Sequence, residues 1–403
     1  MIKIIIGSIV ISCVMMACNT SNTKDMNMQQ GTFAYDVDFL KRYHPDLIEL
    51  GEGDARLVVL PAYQGRIMTS TAEGDSGLSF GWINHELIAS GKFTDHFSAF
   101  GGEERFWLGP EGGQFSVYFK KGKDFVFDNW KVPEEIDTRP FDLVRADNSS
   151  AVFVKHMQLE NYSGTVFNLK VDRTIRLLDD STINAHLHLL PAGVKAVAFE
   201  SENVLTNEGK TAWDKTSGML SIWILSMMNA SDSTTIFMPY KQGDSTQLGK
   251  IVTDDYFGKV PASRLMVGDG LIRFKADGHY RSKIGVSPRR ALPIAASYDA
   301  ANGVLTLAQY TLGGSTEYVN SLWEMQQDPF SGDAVNAYND GPIDGKQMGN
   351  FYEIESSSPA AALRPGQSLT HVHRTFHIKG NPEQLNQVVM KLLGIGLDKV
   401  ILE

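Results

Sequence analysis

Short segments typical of β-strands recur along most of the chain and restrict it to a mostly β fold. In residues 167–172 apolar and polar side chains alternate, as they do in a strand with one buried face and one wet face. Turn residues such as Asp179-Asp180-Ser181 separate these segments. Further strands are predicted at residues 56–61, 114–119, 151–159, 165–177, 182–190, 220–227, 234–238, 271–275 and 304–310. The pattern predicts a large antiparallel β-sandwich.

Helical periodicity is scarce and lies near the two ends of the chain. Apolar spacing indicates one short helix within residues 35–50, and Asn381 followed by Pro382 is typical of the capped start of a helix over residues 383–393. A length of 403 residues fits one large domain or two closely packed ones. Because no internal repeat or linker interrupts the pattern, we predict a single domain over residues 33–403 with a few peripheral helices.

The first residues have the pattern of an exported lipoprotein. A short basic start precedes an apolar run that is too short to span a membrane as a mature helix, which indicates a signal peptide over residues 1–17. Residues 15–18 (MMAC) resemble a bacterial lipobox, so we expect Cys18 to be lipidated. Residues 18–32 are polar, and we expect them to act as a flexible tether. We therefore expect anchoring in the outer membrane of the cell envelope, facing the periplasm or the cell surface.

Composition excludes several classes of function. Both cysteines, Cys13 and Cys18, lie in this leader, so the mature domain has no thiol for a disulfide, a nucleophile or a zinc site. The net charge of −10 and the lack of a dense basic run argue against nucleic-acid binding. No P-loop, dinucleotide fingerprint, serine-hydrolase elbow or zinc-protease motif is present. A neutral or weakly charged ligand outside the cytoplasm is expected, bound by a monomer.

Residues 350–378 combine carboxylates and imidazoles on two predicted strands. In the first strand Glu353 and Glu355 share a face, because successive side chains point to opposite sides. In the second strand His371, His373 and His377 share a face for the same reason. If these two faces meet, they form an acid/base site or a ligand site.

Four motifs, in order, resemble galactose mutarotases (aldose 1-epimerases). They are residues 100–107 (FGGEERFW) with 109–113 (GPEGG), residues 203–208 (NVLTNE) and residues 363–367 (LRPGQ) after the first of the two strands. The likeness extends to uncharacterised Bacteroidota lipoproteins. It implies a large β-supersandwich of the galactose mutarotase-like class, and a carbohydrate as ligand. Glu355 matches the catalytic glutamate of the family, Arg105 matches a hydroxyl-binding arginine, and Glu208 stands where the family has a histidine.

The resemblance and the strand faces together give candidate roles. Glu355 is predicted to be the general base, and His371 or His373 the general acid. A divalent metal held by Glu353, His371 and His373 is an alternative, although no cofactor is required. Sugar contacts are predicted for Arg105, Trp107, Glu111, Glu208, Glu353, Asn336 and Tyr338, with Arg281 and Lys283 as second contacts. His186 and His188 are interpreted as the wet side of a strand.

Three functions remain open from the sequence. The first is epimerase-like acid/base chemistry on a sugar, and the second is sugar binding without turnover in a polysaccharide-uptake system. The third is glycosidic bond cleavage by a hydrolase or lyase on the same scaffold.

Overall fold

The computed structural model describes residues 29–402, which form two large antiparallel sheets. The mostly β class predicted from the strand pattern is therefore confirmed. The expected signal peptide, Cys18 and the tether before residue 29 lie outside the described residues.

The first sheet has eight strands, numbered here in chain order and given in their order across the sheet. They are β1 (Ile48–Glu52), β2 (Ala55–Leu60), β3 (Arg66–Thr71), β4 (Gly102–Gly109), β9 (Ser221–Asn229), β17 (Phe351–Ser357), β16 (Val335–Asn339) and β13 (Ser282–Val286).

The second sheet has ten strands. Across the sheet they are β11 (Leu265–Gly268), β12 (Leu271–Lys275), β10 (Thr234–Pro239), β14 (Ile294–Asp299), β15 (Val304–Tyr310), β18 (Ser368–Lys379), β8 (Lys195–Asn207), β7 (Val166–Leu177), β6 (Ser150–Glu160) and β5 (Asp142–Ala146). The two C-terminal strands, β17 and β18, thus belong to different sheets.

Within residues 29–402, six α-helices lie around the sheets. They are α1 (Phe33–Tyr43), α2 (His85–Ser90), α3 (Glu134–Asp137), α4 (Asp180–Leu187), α5 (Ser245–Leu248) and α6 (Pro382–Leu393). Asn381 caps α6 through a capping box with Gln384, as its sequence predicts. Buried residues of α4 and α6 pack in one cluster with Phe376 and Ile378 of β18. Among the helices of residues 29–402, none is long and apolar enough to cross a membrane.

Polar groups as well as apolar clusters fill the space between the sheets. The side chain of Arg173 in β7 is fully buried, and its Nη2 lies 2.8 Å from Glu104 Oε1 in β4. His377 Nε2 in β18 lies 3.1 Å from Glu103 Oε2, and its Nδ1 lies 2.9 Å from Thr306 Oγ1. Because the contacts of Arg173 with Glu104 and of His377 with Glu103 join opposite sheets, they identify the inward faces of β7 and β18. In β7 and β18 the side chains one position along therefore point outward. In β4 the register shifts between Gly102 and Arg105, so that Glu103 and Glu104 both reach the opposite sheet.

Two predicted strands are wrong. Residues 182–190 form most of α4, because the Asp179 side chain accepts a hydrogen bond from the Thr182 amide and caps a helix there. Ile183 and Leu187 lie one turn apart and are buried, and His186 is in the last helical turn instead of on a strand. Residues 114–119 form irregular turns, where Ser116 Oγ donates to the carbonyl of Glu111. The N-terminal helix ends at Tyr43, earlier than its apolar spacing predicts.

Candidate functional site

The outward face of the eight-stranded sheet carries a group of polar side chains from five adjacent strands. Glu353 and Glu355 alternate with inward-facing residues of β17, and the ladder sets Glu355 beside Asn336 and Glu353 beside Tyr338. The same ladder continues to Lys283 on one side and to Trp223 and Arg105 on the other. Residues far apart in sequence are therefore neighbours on this face.

Glu355 is the best-connected carboxylate of this face. It is 1% exposed, and its Oε2 accepts hydrogen bonds from Trp223 Nε1 at 2.9 Å and from Lys283 Nζ at 2.8 Å. Its Oε1 is buried and has no hydrogen-bond partner within residues 29–402. One oxygen is thus fixed by two donors, and the other is left to accept a proton or a hydrogen bond.

Glu353 forms a separate buried pair with Arg105. Arg105 Nη2 lies 3.0 Å from Glu353 Oε1, and the guanidinium packs 4.5 Å from the ring centroid of Trp107. Burial raises the pKa of Glu353, with repulsion from Glu355 adding to the effect and attraction by Arg105 opposing it. The Arg105–Glu353 pair thus lies on the same face of the sheet as the Lys283–Glu355 pair.

A cavity of about 480 Å³ lies above this face, between the sheet and the loops that cover it. Its walls are rich in aromatic side chains, namely Phe127, Trp223, Tyr256, Phe257 and Trp323. Its charged lining residues are Glu111, Arg281, Lys283 and Asp333. The volume falls in the range of small-molecule sites, and convergent polar groups in an apolar cavity are typical of such sites.

Burial raises the pKa values of the two acidic residues that line the cavity, Glu111 and Asp333. Burial raises the pKa of Glu111 to about 7, with attraction by Lys283 opposing the shift and repulsion from Glu355 adding to it. Burial also raises the pKa of Asp333, whose Oδ2 accepts a 2.6 Å hydrogen bond from the Tyr256 hydroxyl. Glu111 is therefore able to exchange a proton near neutral pH.

The prediction that carboxylates of the first strand meet imidazoles of the second is wrong. Ser356 Oγ lies 2.8 Å from His371 Nε2 and 2.8 Å from His373 Nδ1, inside the sandwich. Because Ser356 follows Glu355 in one strand, the imidazoles and the Glu355 carboxylate lie on opposite faces of β17. His371 and His373 therefore lie on the other side of the sheet from the cavity.

The environment of these imidazoles keeps them neutral. Burial lowers the pKa of both His371 and His373 to about 3, with repulsion from nearby cations adding to the effect for His373. The alternative metal site is also wrong, because Glu353 is across the sheet from the two histidines. No group of three or more potential ligands for a metal ion occurs within the described part of the chain.

The predicted sugar-contact residues are divided between the cavity and other places. Glu111 and Asn336 line the cavity, as do the second contacts Arg281 and Lys283. Tyr338 lies close by, with its ring centroid 6.1 Å from that of Phe257 and its hydroxyl donating to Asp340.

Arg105, Trp107 and Glu208 do not line the cavity, and neither do Glu353 and Glu355 of β17. The first two are buried at 3% exposure in the layer beneath it. Glu208 lies away from the cavity: it follows β8 in the other sheet and lies 2.8 Å from exposed His156.

Several lining residues were not found from the sequence. Tyr256, Phe257 and Trp323 lie in irregular segments that have no strand pattern and no family motif. The scarcity of tryptophan, six in the chain, is a signal that would have drawn attention to Trp223 and Trp323. Asp333 lies in a polar segment just before β16, where turn chemistry is the ordinary explanation for its side chain.

The chain resembles several solved structures in fold. A putative aldose 1-epimerase from Escherichia coli K12 matches with 13% identity and a TM-score of 0.47, covering 83% of this chain and 98% of that one. A galactose mutarotase-like protein from Lactobacillus casei matches with 9% identity and a TM-score of 0.46, covering 82% and 99%. A TPR-domain containing protein from Parabacteroides distasonis matches with 12% identity and a TM-score of 0.47, covering 88% and 50%.

These similarities concern the fold alone. Galactose mutarotase-like proteins are thus among the proteins that this chain resembles in fold, as its sequence motifs predict. No curated protein matches the sequence significantly. A family model described as a family of unknown function, DUF6786, matches residues 31–402, and the chain therefore belongs to that family.

Proposed function

We propose that the protein binds a sugar in the cavity above the eight-stranded sheet and transfers protons on it with Glu355 and Glu111. The observation that carries the proposal is a carboxylate in the lining of an aromatic cavity, Glu111, above a second carboxylate, Glu355, which is buried beneath the lining and bonded to Trp223 and Lys283 of the cavity wall. Glu355 is fixed by Lys283, whereas the pKa of Glu111 is raised to about 7. Two carboxylates in different environments are the usual basis for distinct acid and base roles.

The walls fit a sugar ring. A pyranose has an apolar face that stacks on aromatic rings and a rim of hydroxyls that needs hydrogen-bond partners. Trp223 and Trp323 supply indole rings, and Asn336 and Lys283 supply polar groups. Lys283 Nζ lies 4.9 Å from the Trp223 ring centroid, so the polar and aromatic parts of the lining are adjacent.

The chemistry is proton transfer at the anomeric centre. Opening a hemiacetal ring requires a base for the anomeric hydroxyl and an acid for the ring oxygen. Glu355 acts as the base through its unpartnered Oε1, and protonated Glu111 acts as the acid in place of the histidine expected from the sequence. Because Glu111 must carry its proton, turnover falls as the pH rises through about 7.

Sugar binding without turnover is a second candidate. It is favoured by the position of Glu355, which is 1% exposed and whose Oε2 is already occupied by Trp223 and Lys283. In that case Glu355 only orients Lys283, and the aromatic walls provide the affinity.

The test measures binding and turnover separately with the same proteins. A panel of reducing sugars is titrated by tryptophan fluorescence, and anomer interconversion is followed by NMR exchange spectroscopy. Glu355→Gln and Glu111→Gln are expected to retain binding and to reduce interconversion at least a hundredfold, as removal of a general acid or base does. Glu208→Gln, a change of an exposed carboxylate outside the cavity, is the matched control.

Each result distinguishes the candidates. If Glu355→Gln interconverts anomers at the wild-type rate, the role of Glu355 as general base is refuted. Binding by the wild type without any interconversion favours the second candidate. Cleavage of oligosaccharides, read as new reducing ends or unsaturated products, would instead identify a hydrolase or lyase.

A further inference from the structure

Arg281 is a cavity-lining cation that lacks an ion-pair partner. It immediately precedes β13, and its side chain lines the cavity together with that of Lys283. Within residues 29–402, no carboxylate lies at ion-pair distance from its guanidinium. Its Nε is buried and has no hydrogen-bond partner in the same part of the chain. A partly buried guanidinium normally has such partners, because removing it from water is otherwise costly.

The other charged groups of the cavity are already engaged. Lys283 is paired with Glu355 at 2.8 Å. Asp333 Oδ2 accepts a hydrogen bond from the Tyr256 hydroxyl, and burial raises the pKa of this aspartate and that of Glu111. Within residues 29–402, Arg281 is therefore the cavity-lining cation that no carboxylate contacts at ion-pair distance.

The guanidinium is also held in position. Its central carbon lies 4.0 Å from the ring centroid of Phe257, so the planar group stacks on an aromatic face. A stacked guanidinium keeps its fork of N–H donors at a fixed angle, and a planar carboxylate is the group that such a fork binds with two parallel hydrogen bonds.

We propose that the ligand is an acidic sugar carrying a single negative charge, a uronic acid or a sulfated sugar, whose anionic group binds Arg281. The inference rests on the proposed function, because it specifies which sugar the cavity takes. One unpartnered cation matches one negative charge, whereas a phosphate monoester carries close to two. The sugar ring then stacks on the aromatic walls, and its hydroxyls face Asn336 and Glu111.

The test compares matched acidic and neutral sugars by isothermal titration calorimetry. Glucuronate and galacturonate are titrated against glucose and galactose, with the 6-sulfates and 6-phosphates as further arms. The wild type is expected to bind a uronate or sulfate at least tenfold more tightly than the neutral sugar, with a preference that weakens as salt is added. The uronate and sulfate arms show which anionic group is preferred.

Variants at one position isolate the guanidinium. Arg281→Gln is expected to lose about tenfold to a hundredfold in affinity for the acidic sugar and little for the neutral one. Arg281→Lys keeps the charge but not the fork, and it restores part of the preference. Arg145→Gln, which changes an exposed arginine of β5 in the other sheet, is the matched control. Melting temperatures show that each variant is folded.

The outcomes separate this inference from the proposed function. Equal affinity of the wild type for acidic and neutral sugars, or a preference that survives in Arg281→Gln, overturns the inference and leaves sugar binding intact. Tightest binding of the 6-phosphates overturns the assignment of a single charge. Failure of every sugar to bind the folded wild type overturns both proposals.

Discussion

The two buried imidazoles provide the sharpest test of the tertiary structure. The double variant His371→Gln/His373→Asn removes both ionisable rings while keeping amide nitrogens near the atoms that contact Ser356. Glutamine matches the Nε2 contact of His371, and asparagine matches the Nδ1 contact of His373. Any decrease in unfolding free energy that the smaller side chains cause is the same at every pH. A difference between variant and wild type that changes with pH therefore reports the loss of the imidazoles.

The magnitude follows from the pKa values of the two states. Burial lowers the folded-state pKa of each ring from 6.5 to about 3, so between these values the unfolded chain binds protons that the folded chain does not. Stability from this source is therefore present above about pH 6.5 and is lost on acidification. At about pH 5, roughly 1.5 pH units below the unfolded value, the loss is about 2 kcal/mol per ring and about 4 kcal/mol for both.

The comparison between variant and wild type is necessary because other groups titrate in the opposite sense. The raised pKa of Glu111 means that the folded chain binds its proton more readily, so this group adds stability as the pH falls from about 7. The wild-type profile alone therefore mixes both effects. The difference in unfolding free energy between the double variant and the wild type removes the contribution of Glu111, which both proteins share.

Urea unfolding followed by tryptophan fluorescence at about pH 7, 6 and 5 measures this difference. We expect the variant to gain about 4 kcal/mol relative to the wild type between the first and last of these pH values. Exposed His279, changed to glutamine, is the control and is expected to produce no shift of this size. If the unfolding free energies of the variant and the wild type change in parallel with pH, or if NMR shows either ring titrating near pH 6, the imidazoles are accessible to protons. Either result would refute the placement of the His371 and His373 side chains inside the sandwich.

Two further substitutions test the interior and the cavity floor. Arg173→Met leaves Glu104 buried without its cation and is expected to cost about 3–5 kcal/mol in urea unfolding, whereas a loss below about 1 kcal/mol would contradict the buried pair. Gly285→Ala places a Cβ 2.1 Å from Asp333 Oδ2 and 2.5 Å from Asn336 Nδ2, so we expect a cost of about 1–3 kcal/mol and weaker ligand binding. Gly268→Ala in β11, where nothing lies within 4 Å of the added carbon, is the matched control; equal effects at both positions would refute this packing.

The sequence alone determined the local features that depend on periodicity and capping. The alternation of residues 167–172 predicts β7, and the Asn381-Pro382 start predicts α6. The shared face of Glu353 and Glu355 follows from strand geometry alone, as does the shared face of His371 and His373. Residues 182–190 form α4 instead of a strand because the Asp179 cap and the spacing of buried residues outweigh a short apolar pattern.

The tertiary structure decided which of these faces meet. Alternation orders side chains within a strand, but it does not show which side of β17 faces the second sheet, and Ser356 takes that place instead of Glu355. The cavity also required the fold, because Glu111, Tyr256 and Trp323 come from separate irregular segments. The physical reason is that strand alternation is a local property of the backbone, whereas the approach of distant loops depends on the packing of the whole sandwich.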